Sequence, residues 1–166
     1  VMNNIFTRTS IRKFTNQVVE HEKIEEILRA GMFAPSAGNQ QPWEFYVVTN
    51  KKLIEQLAAV HIYSTPTGNA PVAIVPCYRL DGIYPQYAQI DLAACVQNML
   101  LQADALELGS VWIGIAPEKE RMQKVREILN LPEHLTAFAI VPVGYPLEEK
   151  PQQQDRFEKK RIHYLD

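Results

Sequence analysis

The sequence predicts helices packed on a sheet, in the α/β or α+β class. Three observations carry that expectation. Short apolar runs rich in Val, Ile and aromatic residues alternate with segments of helical hydrophobic spacing. No internal repeat, low-complexity tract or long linker divides them. The chain has 166 residues, 46% hydrophobic and 22% charged, an ordinary globular composition for one domain over residues 1–166 that can bury its own core.

The elements follow in chain order. His21 to Gly31 reads as a helix, because Ile24, Ile27 and Leu28 share a face, and Gly31 is placed to close it in a left-handed conformation. Phe45 to Thr49 reads as a strand between Pro42 and Asn50, and Lys51 to Val60 as a short amphipathic helix. Val72 to Val75 is apolar on both faces and so belongs in the middle of a sheet. The longest helix covers about Tyr87 to Leu108. Leu92, Val96, Met99, Ala103 and Leu106 keep helical spacing, while Ala94, Cys95 and Leu101 make the opposite side apolar too. A helix apolar nearly all round is expected to be buried, in a core or at a subunit contact. Gly109 ends it, and Val111 to Ile115 forms a third strand. Glu118 to Leu129 is a helix with Met122, Val125 and Leu129 facing inward, and Ala137 to Val143 is a fourth strand stopped by Gly144-Tyr145-Pro146. The two terminal segments contribute no clear strand or long helix.

Composition narrows the function. A formal charge of -2 gives no electrostatic reason to expect nucleic acid or an acidic membrane as partner, and the run Lys159-Lys160-Arg161 reads as a solvated face. Cys77 and Cys95 lie in apolar stretches without a CxxC or Cys/His companion, as buried free thiols do. No signal pattern opens the sequence and no apolar run reaches about 18 residues, so a soluble cytoplasmic protein is expected. The chain carries no GxGxxG after a strand, no GxxxxGK[ST], no HExxH and no GxSxG, and its four histidines lack ligand spacing. Metal chemistry and Rossmann-type dinucleotide binding are therefore not expected.

Two segments stand out. Arg8-Thr9-Ser10-Ile11-Arg12-Lys13-Phe14 places three cations and two hydroxyls within six residues, Arg8 to Lys13. In an extended chain Arg8, Ser10 and Arg12 point to one side, and guanidinium forks match phosphate oxygens; a solvated basic stretch is the plainer alternative. Ala34-Pro35-Ser36-Ala37-Gly38-Asn39-Gln40-Gln41-Pro42-Trp43-Glu44-Phe45 joins a helix to a strand. Its small residues let a flat ring approach the backbone, and the amides of Asn39 and Gln41 offer donors and acceptors to a ring edge; a capped turn with Trp43 in the core is the alternative.

Together these segments resemble the FMN-dependent nitroreductase family. Three further landmarks agree in order: Asp91 to Leu101 is similar to the family's central helix, Leu108-Gly109-Ser110-Val111-Trp112-Ile113-Gly114 to its Trp-Ile-Gly strand, and Val143-Gly144-Tyr145-Pro146 to the end of its last core strand. The similarity spans essentially the whole chain, as a short member.

The resemblance implies an α+β, three-layer α/β/α fold, with a mixed, mainly antiparallel sheet flanked by helices. It further implies a homodimer with interlocked termini and FMN at the subunit interface. Arg8 and Arg12 would hold the phosphate, joined by Arg156 near the C-terminus, and Ser10 would bond the phosphate or the ribityl chain. Ser36 and Asn39 would lie along the isoalloxazine from the other subunit, with Pro35 against the ring and Gln41 close by. Thr9 and Ala37 complete these two groups. Ile113, Gly114 and Ile115 would pass the N5 edge, where backbone rather than any catalytic side chain supports the chemistry. NADH or NADPH would donate hydride, and a small organic acceptor of nitroaromatic or quinone type would take it in a ping-pong scheme. A flavin-binding module for storage or regulation, with little turnover, is the competing reading, and a small α/β protein whose tryptophan motif is merely core is a third. The chain departs from larger members first in having little between the second strand and the central helix, where they insert helices that cover the substrate pocket, and then in two further ways. Residues 61–69 supply no lysine where some members place a cation by the flavin pyrimidine, and the tail lacks the tryptophan that often follows its pattern.

Overall fold

The computed structural model describes residues 4–165. Among the described residues are five α-helices and six strands, with short 3-10 turns between them: α1 (Asn4–Thr7), α2 (His21–Met32), β1 (Trp43–Val48), α3 (Lys51–Ala58), β2 (Val72–Arg79), α4 (Ala88–Ala105), β3 (Gly109–Ser110), β4 (Ile113–Gly114), α5 (Lys119–Leu129), β5 (Leu135–Ala137) and β6 (Ala139–Gly144). The sheet runs β1-β2-β6-β3, with β4 also on β6 and β5 on β2, and every described pair is antiparallel. The class is α+β, as expected.

Period-two alternation along β2 builds the layers. Val72, Ile74 and Tyr78 face one core with Leu92, Val96 and Met99 of α4 and Ile24 and Ile27 of α2. Ala73, Val75 and Cys77 face a second core with Ile54 and Leu57 of α3 and Val125 of α5. The strand is buried over its first seven residues because both faces are covered. It runs to Arg79, four residues past the apolar run that marks it in the sequence. Cys77 and Cys95 are free and buried, and burial pushes both thiols up to about 12.

Several expected elements differ in detail. Gly31 does not cap α2; the helix runs on to Met32 and ends at Phe33 with an ordinary negative φ. A Cβ on Gly31 would stand 2.9 Å from Met99 Cγ and 3.0 Å from Cys95 Sγ, so the glycine serves close packing of α2 on α4. The apolar girth of α4 is taken up largely within the chain, by α1, α2 and the sheet.

Of the strand expected over Val111–Ile115 only Ile113–Gly114 (β4) is paired, and a second short piece, β3, precedes the expected span at Gly109–Ser110. Both pair with β6 in one register, Gly109 opposite Gly144 and Ile113 opposite Ile140. The gap at Val111 and Trp112 faces Pro142, which has no N–H to give the ladder. The strand expected over Ala137–Val143 is likewise divided, at Phe138. Cys77 pairs with Ala137 and Ile74 with Val141, so one residue more lies on the β5–β6 side than on β2, a β-bulge. The N-terminal segment, for which the sequence gives no regular element, carries the single turn of α1 and then lies extended.

Candidate functional site

The extended N-terminal segment is held by the end of the sheet. The Ile11 N–H donates to the Ser110 carbonyl at 3.0 Å, Phe14 bridges Pro146, and the Leu147 N–H donates to the Lys13 carbonyl at 3.1 Å. Thr9, Ile11 and Phe14 point inward and are buried. Alternation leaves Arg8 and Ser10 half-buried and Arg12 exposed, on the side where their spacing puts them. Thr9 goes the other way: its hydroxyl is enclosed and has no hydrogen-bond partner.

Arg8 and Arg12 open into different cavities. Arg8 lines a cavity of about 700 Å³ with Arg156, Gln153, Gln97, Phe6 and Phe157. Gln153 ties its two ends together, with Nε2 donating to the Arg8 carbonyl and Oε1 accepting from Arg156 Nη2. Arg12 lines a cavity of about 390 Å³ with Trp112, Ile113, Gly114, Tyr63 and Arg121. None of Arg8, Arg12, Arg121 and Arg156 forms an ion pair among the described residues, although most other pairs in the chain engage the lysines and Arg79. Asp155 shares the first cavity, but its carboxylate accepts from the Phe157 N–H. In a chain of net charge -2, unpaired guanidiniums lining cavities mark places for an anionic ligand.

Gly114 supplies the flat surface. A Cβ there would meet no atom within 4 Å, so its backbone faces open space. Ile113 and Ile115 on either side are buried, which leaves the glycine as the accessible step in that stretch. Its carbonyl accepts from Arg121 Nη1 at 3.0 Å. Trp112 lies beside it, tilted against Phe138 with ring centroids 5.5 Å apart.

The amide-rich loop is a third, separate part. Gly38, Asn39 and Gln41 all hold positive φ, at 55°, 52° and 46°. For Asn39 and Gln41 this is a left-handed backbone that their neighbours must stabilise. The Ser36 hydroxyl accepts from the Gln41 N–H and the Asn39 side chain from Gln41 Nε2, both at 3.0 Å. Asp91, 5% exposed in the first turn of α4, accepts from the Ala37 N–H at 2.9 Å and from Gln40 Nε2 at 2.6 Å. Gly38 is bare because Tyr84 lies against it, 2.6 Å from where a Cβ would stand. Pro35, Ser36, Ala37, Asn39 and Gln41 line neither arginine cavity, and among the described residues no hydrogen bond connects them to Arg8, Arg12, Gly114 or Arg156.

Three contributors escaped sequence reasoning. Asp91 counted there only as a helix landmark, though an acid opening an otherwise apolar helix is a readable sign of a buried anchor. Gln153 and the pair His61–Arg121 gave no sign, because their partners lie far off in the chain.

The family model described as "Nitroreductase family" matches residues 5–80 and 58–145. A protein of Archaeoglobus fulgidus, provisionally named NADH dehydrogenase/NAD(P)H nitroreductase, is 42% identical over 96% of this chain and 94% of its own length. Among solved structures, a provisionally named NADH oxidase of Clostridium acetobutylicum superposes with a TM-score of 0.95 at 41% identity, covering 99% of each chain. A provisionally named nitroreductase of Desulfovibrio desulfuricans, solved in complex with FMN, gives 0.84 at 30% identity over 99% of this chain and 96% of that one.

Proposed function

The chain belongs to the nitroreductase family, and from that premise we propose that it reduces small organic acceptors of nitroaromatic or quinone type, with FMN as cofactor and NAD(P)H as donor. FMN, when bound, supplies hydride exchange at N5. The observation that carries this reading is a pair of anion-ready guanidiniums, Arg8 and Arg156, in one cavity and a bare backbone step, Gly114, in the next. Arg8 and Arg12 stand four residues apart on an extended segment, about 13 Å at strand rise, which leaves room for a ribityl chain between the two places.

Within this reading Arg8 and Arg156 hold the phosphate, with Ser10 beside them. Arg12 is drawn toward the ring end rather than the phosphate, because its cavity is the one floored by Gly114. Ile113, Gly114 and Ile115 present backbone to the ring. Ser36 and Asn39, with Pro35, Ala37 and Gln41, are brought to the same ring by a second copy of the chain. That assignment is supported by their separation from both arginine cavities and by the exposure of Ile5, Phe6 and Phe157 around the first of them. Donor and acceptor take turns at one open surface, so ping-pong kinetics is the expected pattern.

The test is direct. The purified protein is expected to be yellow, to oxidise NADH or NADPH and to reduce a nitroaromatic or quinone with parallel double-reciprocal lines. Arg8→Ala or Arg156→Ala should weaken FMN binding by about 30-fold, the loss of roughly 2 kcal/mol from one charge-assisted contact. A colourless protein that ignores added FMN would sink the reading.

A further inference from the structure

Of Ile113, Gly114 and Ile115, only Gly114 turns its backbone away from the sheet, and the register of β4 on β6 shows why. Ile113 lies opposite Ile140 and Gly114 opposite Ala139. The Ile115 N–H donates to the Phe138 carbonyl at 3.3 Å, which makes Ile115 a hydrogen-bonded position of the antiparallel pair. Such positions alternate with others whose N–H and C=O point away from the partner strand. Gly114 is one of these. Ser110, four residues earlier in β3, is another, and its carbonyl reaches outward to the Ile11 N–H at 3.0 Å.

The two outward groups of Gly114 have different fates. Its carbonyl accepts from Arg121 Nη1 at 3.0 Å, whereas its N–H has no acceptor among the described residues. That N–H opens on the cavity, since even a Cβ at this position would meet nothing within 4 Å. Glycine does not fix its own φ and ψ, and β4 is only two residues long. The peptide after Gly114 is instead held at both ends, its oxygen by Arg121 and its nitrogen by the Phe138 carbonyl. The guanidinium is anchored in turn, with Nη2 3.1 Å from His61 Nε2, so its planar fork spans Gly114 and the residue before the Ile62–Asn69 turn. No ion pair draws it elsewhere among the described residues, and its neighbour Glu120 turns to Lys124 at 2.8 Å.

We propose that Arg121 is a positioning residue for hydride transfer, which holds Gly114 so that the glycine N–H meets the N5 edge of the flavin. The role rests on the placement of FMN against Gly114 given above. It is a task of geometry rather than of charge. A lysine at this position carries the same charge as a point and cannot bridge the Gly114 carbonyl and His61 at once.

The test pairs two readouts on the FMN-loaded protein: the nitrogen NMR signal of N5, with isotope-labelled FMN, and the single-turnover rate of reduction by NADH or NADPH. Arg121→Gln is expected to displace the N5 signal and slow hydride transfer about tenfold, with FMN affinity little changed. Arg121→Lys should displace the signal in the same direction and slow the transfer several-fold, although the charge is kept. His61→Asn still offers an acceptor to the Tyr63 N–H, which His61 Nδ1 now takes at 3.2 Å, but releases one end of the fork. It should produce the same changes to a smaller degree, and it carries the test if the Arg121 variants do not fold. Wild-type signal and rate in variants that hold FMN would overturn the proposal, whatever stability they lose. A change in one readout without the other would overturn it too, because Arg121 would then act through charge or donor binding. Wild-type protein that holds no FMN would instead defeat the reading on which the proposal rests.

Discussion

Asp91 shows how one side chain can organise a site without entering it. Its buried carboxylate joins α4 to the loop from Ser36 to Gln41, and does so at a helix N-terminus, where the aligned backbone dipoles favour negative charge. Replacing it with alanine leaves the Ala37 N–H and the Gln40 amide without their acceptor. Asp91→Ala is expected to cost about 3 kcal/mol, a fall of roughly 10 °C in Tm for a domain of this size. It should also reduce FMN affinity, because Asn39 and Gln41 lose the frame that holds their left-handed backbone. Calorimetry and a flavin titration on the same preparation check both expectations. A variant that loses stability but keeps full affinity would separate the loop from the cofactor. The arginines were legible in the sequence because alternation along an extended segment needs no tertiary knowledge. The division of Arg8 and Arg12 between two cavities was not legible, since it depends on where Gln153 and Gly114 arrive from distant parts of the chain.

Among the elements, the helices were read closely from their spacing, and the strands less so. The reason is visible in two prolines and one glycine. Pro142 interrupts the ladder opposite Val111 and Trp112, and Pro76 faces the bulge at Phe138, its carbonyl accepting from the Phe138 N–H at 2.9 Å. Each divides a strand whose hydrophobic run is unbroken in sequence, because hydrophobicity reports burial and not hydrogen bonding. Gly31 sits at the end of a helical pattern, where a left-handed cap is a fair expectation, yet its missing side chain serves packing. Packing gives an ordered prediction. Gly31→Ala meets Met99 and Cys95, side chains able to shift, and should cost about 1 kcal/mol; Gly109→Ala meets stiff Ile11, 2.7 Å from its Cβ, and should cost about 3 kcal/mol. Denaturant unfolding of the two variants gives the order, and an equal or reversed cost would show that Ile11 yields freely.

For the molecule as a whole, the three parts of the site belong to one protein but not to one place. Arg8 with Arg156, Arg12 with Gly114, and the Ser36–Gln41 loop are each well built, and in the function proposed above a second copy brings the third to the first two. Sedimentation equilibrium of the holoprotein is therefore expected to give twice the chain mass. The double variant Phe6→Glu, Phe157→Glu should shift it to the single-chain mass, and FMN should be lost with the partner. Retention of FMN by the monomeric variant would confine the site to one chain. Exposed apolar side chains that also line the Arg8–Arg156 cavity, as Phe6 and Phe157 do, are difficult to explain as free surface.

Trp112 has an optical consequence. Its half-buried indole stands beside Gly114 on the wall of the cavity that Arg12 also lines, whereas Trp43 is buried in the core at the start of β1. Indole emission overlaps the near-ultraviolet absorption of flavin, so a ring at Gly114 becomes an energy acceptor for Trp112 at short range. Binding of FMN is then visible as quenching of the protein's own fluorescence, and Trp112→Phe should remove much of that signal while leaving the emission of Trp43. If the ring binds there as proposed, the molecule carries its own gauge of occupancy.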